Sequence, residues 1–392
     1  MGGGLMQIVA LGKQDAYLTG NPQFTYFKTI YRRHTNFATE SIQVHWDSNT
    51  ENPALGTALT ATIPRQAELV NGIWLQVVLP RDTAVSPVSW IDGVGNALVK
   101  RADIEIGGHL IDRHYGEWMN IWGELTTPQG KLQGYDKMVG NNTNLPAGTA
   151  QKLDIPLIFW FCTNPGLALP LVALQNTEVK LKIQLETEAN LVSGAGTLTN
   201  PDAMELKLWV NYVFLDTDER RRFAQVSHEY LMTQLQVNNF TVAANETTSK
   251  RCELWFDHPV KELNWVIHTP NDELFDFDNT FTTAKLELDS RPVVPSRRLE
   301  YFLQIENYTH HQRVPRYDAI TGSTTRKQKI YTYSFALNPE NHQPSGSANF
   351  TRIDTAVLTI NGLSDTQTIA VYATNYNIIR FMSGAANLSF SV

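Results

Sequence analysis

Apolar and polar residues alternate with a period of two along most of this chain. The clearest tracts are residues 179–186 (VKLKIQLE), 102–107 (ADIEIG), 204–210 (MELKLWV) and 284–289 (AKLELD). Successive side chains of a strand point to opposite faces, so the alternation predicts antiparallel strands with one face buried and the other wet. Helical spacing is scarce. Trp118, Ile121, Trp122 and Leu125 fall at i, i+3, i+4 and i+7 and predict one short helix. Residues 134–148 and 193–201, rich in Gly and Asn, read as long loops, and the polar run 216–223 (DTDERRRF) interrupts the strand pattern near mid-chain. Residues 24–31 (FTYFKTIY) read as a first, aromatic strand that ends in the cationic cluster Arg32, Arg33 and His34.

The pattern occurs twice. GIWLQVVLP ends at Pro80 and LNWVIHTP at Pro270, each a Trp-bearing strand stopped by proline. Ala102-x-Ile-Glu-Ile corresponds to Ala284-x-Leu-Glu-Leu. Asn164-Pro165 with Pro170 corresponds to Asn338-Pro339 with Pro344, and each pair leads into an alternating strand. The order is preserved, with offsets of 190 (Pro80 to Pro270), 182 (Ala102 to Ala284) and 174 (Asn164 to Asn338). A smoothly changing offset favours duplication of one β-domain with shorter loops in the second copy. The expectation is two similar sandwiches of about eight strands each, an all-β double jelly roll with a few short helices. The division expected is an N-terminal segment 1–23, sandwiches over 24–215 and 226–392, and a linker over 216–225.

Length agrees, since 392 residues exceed what one core usually holds. The net charge of −7 lacks the basic excess of a phosphate-binding surface, so direct contact with nucleic acid is not expected. The opening MGGGLMQIV has no basic region before an uninterrupted apolar core, and Met6 breaks the myristoylation pattern. The two cysteines, Cys162 and Cys252, sit in apolar strand-like runs and suit a reducing compartment.

Several blocks closely resemble the major capsid proteins of nucleocytoplasmic large DNA viruses, of the chlorella-virus and iridovirus type. They are residues 18–43 (LTGNPQFTYFKTIYRRHTNFATESIQ), 104–118 (IEIGGHLIDRHYGEW), 156–181, 210–231, 333–354 (YSFALNPENHQPSGSANFTRID) and 373–384 (ATNYNIIRFMSG), in the family's order. Residues 271–329 depart from it, being shorter than in the chlorella-virus type. The resemblance implies a structural protein, not an enzyme, that forms homotrimers and then pseudo-hexagonal capsomers tiling an icosahedral shell. It also implies assembly in host cytoplasm, residues 1–21 facing the inner base, and minor capsid proteins and a membrane beneath.

Three sets of residues are candidates for assembly or modification. Arg32, Arg33 and His34 read either as the end of a first strand, meeting carboxylates such as Asp15 or Glu40, or as contacts to other subunits and base partners. Asp216, Asp218, Glu219, Arg220, Arg221 and Arg222 read as a self-paired charge segment that orients the two sandwiches, although exposed pairs contribute only about 0–1 kcal/mol each. Of six Asn-x-Ser/Thr sequons, Asn141, placed in a long loop, is the surface candidate for a glycan.

Enzymatic readings find little support. A cupin-type metal site would need His109, His114 and Glu117 on one strand face, but the spacing puts the two histidines on opposite faces. His310 and His311 read as surface residues. Asp272, Glu273, Asp276 and Asp278 read as a solvated acidic loop without the EF-hand pattern, and no nucleophile elbow, P-loop or HExxH occurs. No cofactor, metal or catalytic residue is expected. A glycan-binding sandwich would use Trp46 and Trp90, both in polar, loop-like surroundings.

Overall fold

A computed structural model describes residues 2–48, 52–84, 88–141, 145–193, 197–199, 201–269, 273–317, 327–364 and 366–390. Residues up to Asn36 form one unit and those from Phe37 onward another. The first unit holds two short helices, Gly3–Val9 and Ala16–Thr19, and no strand among its described residues. Residues 24–31 are therefore not the aromatic first strand expected; among the described residues the first strand begins at Phe37.

Among the described residues of the second unit sixteen strands carry the fold. The first eight are β1 (Phe37–Val44), β2 (Ala58–Thr62), β3 (Leu69–Val78), β4 (Val99–Ile106), β5 (His109–Tyr115), β6 (Lys152–Pro156), β7 (Val179–Leu185) and β8 (Glu205–Leu215). The second eight are β9 (His228–Thr241), β10 (Ser249–Glu253), β11 (Pro259–His268), β12 (Thr283–Leu288), β13 (Arg291–Arg298), β14 (Tyr331–Ser334), β15 (Ala356–Asn361) and β16 (Thr368–Met382). In the first set the hydrogen-bonded orders are β1-β8-β3-β6 and β2-β7-β4-β5; in the second they are β9-β16-β11-β14 and β10-β15-β12-β13. Adding eight to each label of the first sandwich reproduces the second. The chain is a double jelly roll in which each sandwich packs two four-stranded antiparallel sheets, with short extra strands at their margins.

The matches seen in the sequence fall on equivalent elements: β3 with β11, β4 with β12, and the turns that lead into β7 and β15. Even the irregularities recur. Asn71 is skipped in the β3–β8 register and Lys261 in the β11–β16 register, and these bulges stand 190 residues apart, as do the prolines that follow. The tryptophans are the exception. Proline alignment sets Leu75, not Trp74, against Trp265; Trp74 is half-buried and stacks on Trp209 at 6.5 Å, whereas Trp265 lies in the second core between Phe302 and Tyr331.

Alternation builds the cores. On β7, Val179, Leu181, Ile183 and Leu185 are buried while Lys180, Lys182 and Gln184 are half-exposed; each buried aliphatic side chain contributes roughly 1.5–3 kcal/mol. On the wet face Lys182 meets Glu105 of β4 at 2.6 Å, a cross-strand ion pair. The predicted helix is α1 (Gly116–Thr126), which buries Trp118, Ile121 and Leu125. A second helix, α2 (Gln129–Val139), extends into the stretch read as loop from residue 134. Gly130 and Gly134 weaken its local signal, but Leu132 and Val139 are buried, and Gly140 ends it at φ +73°, where an L side chain would be strained. The run DTDERRRF becomes α3 (Thr217–Gln225), between β8 and β9.

Candidate assembly elements

The N-terminal unit exposes an unusual share of apolar surface. Tyr17, Leu18, Tyr26, Phe27 and Tyr31 are between 86% and 98% exposed, and stretches of that size on soluble proteins mark interaction sites. Arg32, Arg33 and His34 lie beyond this tract in irregular, exposed chain. Asp15, one carboxylate expected to meet the arginines, instead accepts the Gly12 N–H at 2.7 Å.

From Phe37 onward, the functional geometry is the junction between the two sandwiches. It is built by the excursion between β5 and β6, which contains α1 and α2. Trp118 of α1 packs on Tyr372 of β16, with ring centroids 5.5 Å apart, and Asn120 donates to the buried Gln328 Oε1 at 2.8 Å. The first core continues across the junction through Val266, Phe275, Phe277, Ala370 and Tyr372. At the helix ends a buried ion network closes it. Arg313 reaches the Glu124 carboxylate at 2.7 Å and its carbonyl at 2.8 Å. Arg316 reaches the other Glu124 oxygen at 2.7 Å and binds both oxygens of Asp136 at 2.7 and 2.9 Å. Burial works against the Arg316 charge, but Asp136 and Glu124 outweigh it and hold the guanidinium above its ordinary pKa.

A second polar set lies beside it. Glu117 of α1 faces Tyr372; burial pushes its carboxyl up to about 7, against the opposing pull of the Tyr372 hydroxyl. Gln234 of β9 donates to the Ile111 carbonyl at 2.6 Å, and the Leu235 N–H reaches Asp112 at 3.3 Å. His311, expected at the surface, has a fully buried side chain 2.9 Å from Glu340 and 3.4 Å from Glu262. It follows a helix whose buried Asn307 bonds the Leu303 and Ile330 carbonyls, and that packing carries it inward.

Other predicted residues stand elsewhere. Asp216 caps α3 by accepting the Thr217 N–H at 2.7 Å. Of the pairs expected among Asp216, Asp218, Glu219 and the three arginines, Asp218 and Arg221 meet at 4.0 Å, whereas Arg220 turns to Glu68 in the first sandwich at 3.3 Å. Glu219 and Arg222 join no ion pair among the described residues. Asn141 is not a surface residue: it is 6% exposed, and its amide nitrogen, to which a glycan would have to be attached, donates to Asp136 at 3.1 Å.

Trp46 and Trp90 are both buried, and the Trp46 N–H donates to the Leu206 carbonyl at 3.0 Å, so neither can stack on a sugar. His109 is exposed, while His114 is buried 3.0 Å from Asp112 and stacked on Phe159. Asp276 and Asp278 are not a merely solvated cluster but pair with Lys327 and Lys329 at 2.7 and 2.6 Å; Asp272 lies outside the described residues. Both cysteines are free thiols: Cys252 is on β10, whereas Cys162 is half-buried in a short helix, Trp160–Thr163, and not in a strand. No group of His, Cys, Asp and Glu among the described residues is arranged to hold a metal.

Residues 25–216 match the family described as major capsid protein N-terminus, and residues 219–387 match that described as large eukaryotic DNA virus major capsid protein. The major capsid protein of Pyramimonas orientalis virus is 44% identical over 411 residues, covering 100% of both chains. That of Paramecium bursaria Chlorella virus 1 is 34% identical over 462 residues, again covering 100% of both. Among solved structures, a quasi-atomic description of the PBCV-1 virus capsid superimposes with a TM-score of 0.82 at 29% identity, covering 94% of this chain and 100% of that one.

Proposed function

The chain belongs to the major capsid proteins of large eukaryotic DNA viruses, and from that premise we propose that three copies associate into a pseudo-hexagonal capsomer that tiles an icosahedral shell. It is a structural protein of the virion, and its relatives are named for a capsid, not for a reaction. The observation that carries the proposal is the repeated strand order: a three-fold assembly of a chain with two topologically identical sandwiches presents six similar lobes. The junction supports it, because a lattice needs both lobes held at a fixed angle, and the buried Glu124 network and the shared core do that.

Assembly takes place in host cytoplasm, and capsomers then contact one another edge to edge. The N-terminal unit serves the inner base. Its exposed aromatic tract and the cations Arg32, Arg33 and His34 face minor capsid proteins and the membrane beneath the shell, since aromatic residues and Arg are enriched at interfaces. The base-facing role thus extends over residues 2–36, beyond the segment 1–23.

Trimer interfaces of obligate assemblies bury on the order of 2,000 Å² or more, so the free monomer is expected to be marginal or to aggregate. Native mass measurement of the purified chain at micromolar concentration is expected to show three-chain particles, which electron microscopy resolves into six-lobed units and hexagonal sheets. A stable monomer under those conditions refutes the proposal.

A further inference from the structure

Between the sandwiches lies a cavity of about 230 Å³, with the exposed residues Thr163 and His342 among those lining it. Its walls come from both halves: the indoles of Trp118 and Trp122 from α1, Leu235 from β9, Lys261 from β11, and Glu340 from the turn after β14. Two of these residues keep unfilled hydrogen-bonding capacity, although Glu262 and Glu340 both act on the Lys261 charge from nearby. Lys261 is 4% exposed and has three donors; one goes to the Pro339 carbonyl at 2.7 Å, while the ammonium lies 5.7 and 5.9 Å from the ring centroids of Trp122 and Tyr376. Glu340 places Oε1 against His311 Nδ1 and the Gln312 N–H, both at 2.9 Å, but its buried Oε2 has no partner among the described residues.

The lysine is not required by the fold. The equivalent bulge of the first sandwich carries Asn71, which is satisfied by Asn211 at 2.6 Å. A neutral amide is enough to make the bulge, so the lysine at position 261 is an added charge. Burying a charge and leaving a carboxylate oxygen unmatched both oppose stability unless something completes them. What completes this pair is a molecule with an acceptor for the ammonium, a donor for Glu340 Oε2, and an apolar body against the two indoles.

The geometry points to a small-molecule site between the two jelly rolls that takes an amphipathic zwitterion of the α-amino-acid class with a large apolar side chain. The carboxylate of such a ligand faces Lys261, its ammonium faces Glu340, and its side chain lies along Trp118 and Trp122. A ligand spanning both halves binds the assembled junction and not the unfolded chain, so it raises the stability of the subunit.

Thermal denaturation of the whole chain with and without millimolar L-phenylalanine tests this, with phenethylamine and phenylpropionate as half-ligands. The zwitterion is expected to raise Tm by about 2 °C or more, the half-ligands by less, and the effect is expected to disappear in Lys261→Met and in Glu340→Gln. Saturable quenching of tryptophan fluorescence in the unaltered chain gives a readout that does not depend on how the variants fold. No saturable signal with L-phenylalanine or L-leucine, or a Tm rise that survives in both variants, overturns the assignment and leaves a water-filled cavity.

Discussion

The Glu124 network makes a sharp prediction about what holds the two sandwiches together. Its carboxylate is 1% exposed and receives two arginines at 2.7 Å, Arg313 and Arg316, from the other half of the chain. In Glu124→Gln the volume is kept and one acceptor oxygen survives, but the negative charge is gone and two guanidinium groups lose their shared partner. Breaking one side of a buried ion pair costs about 3–5 kcal/mol. Arg316 retains Asp136 at 2.7 Å, which places the expected loss at the lower end, about 3 kcal/mol. A domain of 150–250 residues loses about 2–4 °C of Tm per kcal/mol and larger units lose less, so the transition is expected to fall by about 4 °C. Scanning calorimetry of the purified chain measures it, with circular dichroism confirming unchanged strand content. The cycle with Arg316→Gln is expected to show a coupling of about 1–3 kcal/mol. A fall below about 1 °C, or additive single effects, would refute the view that this network closes the junction.

Two further outcomes follow from burial. The Glu117 carboxyl, pushed up to about 7 from 4.5, binds its proton more tightly folded than unfolded, so stability falls as pH rises across that interval by up to about 3 kcal/mol. Glu117→Gln is expected to flatten this decline and to raise the urea midpoint at pH 8 more than at pH 5; equal effects at both would sink the assignment. Burial also pushes the Cys162 and Cys252 thiols up to about 12, so both are expected to ignore an aromatic disulfide reagent at pH 8 in the native protein and to react once it is unfolded in urea, with fast native labelling of Cys252 as the contrary result.

The fold was largely legible because period-two alternation is a local signal, and the chain carries the same order of strands twice. The prolines, the Ala-x-x-Glu-x strands and the Asn-Pro turns all mark equivalent elements. The paired tryptophans misled in detail, since a shift of one residue sends a side chain to the other face of the sheet. Residues 24–31 misled more. Their aromatic residues suit a strand, but a strand also needs a neighbour to accept its hydrogen bonds, and sequence pattern cannot say whether one is present. The second helix was hidden by Gly130 and Gly134, whose propensity cost is overridden by the burial of Leu132 and Val139. Asn141 was misplaced for the same reason, as it follows that helix and bonds back to Asp136. The junction itself left one readable trace: Glu117 and Glu124 stand four before and three after Ile121, on the apolar stripe of α1. An acid in that position has to find a partner or lose its charge, and the structure has one of each, although Arg313 and Arg316 lie about 190 residues away where no local pattern could point to them.

The two sandwiches share their strand order but not their outer surfaces, and that asymmetry has consequences for a shell. On β3 the burial alternates in the C-terminal part of the strand, from Ile73 to Val78, as expected of a sheet with a wet face. On its counterpart β11 every residue from Val260 to Ile267 is buried, because the outer face is covered at the junction. The covered face is polar in part: Lys261, Glu262 and Asn264 are all buried there. Enclosed there, Lys261 donates to the Pro339 carbonyl at 2.7 Å and Glu262 stands 3.4 Å from His311. In the proposed trimer the six lobes are accordingly of two alternating kinds, one giving its helical excursion to the junction and one receiving it. The hexagonal outline can be regular while the contacts along its edges alternate, which lets each edge of a capsomer distinguish its neighbours.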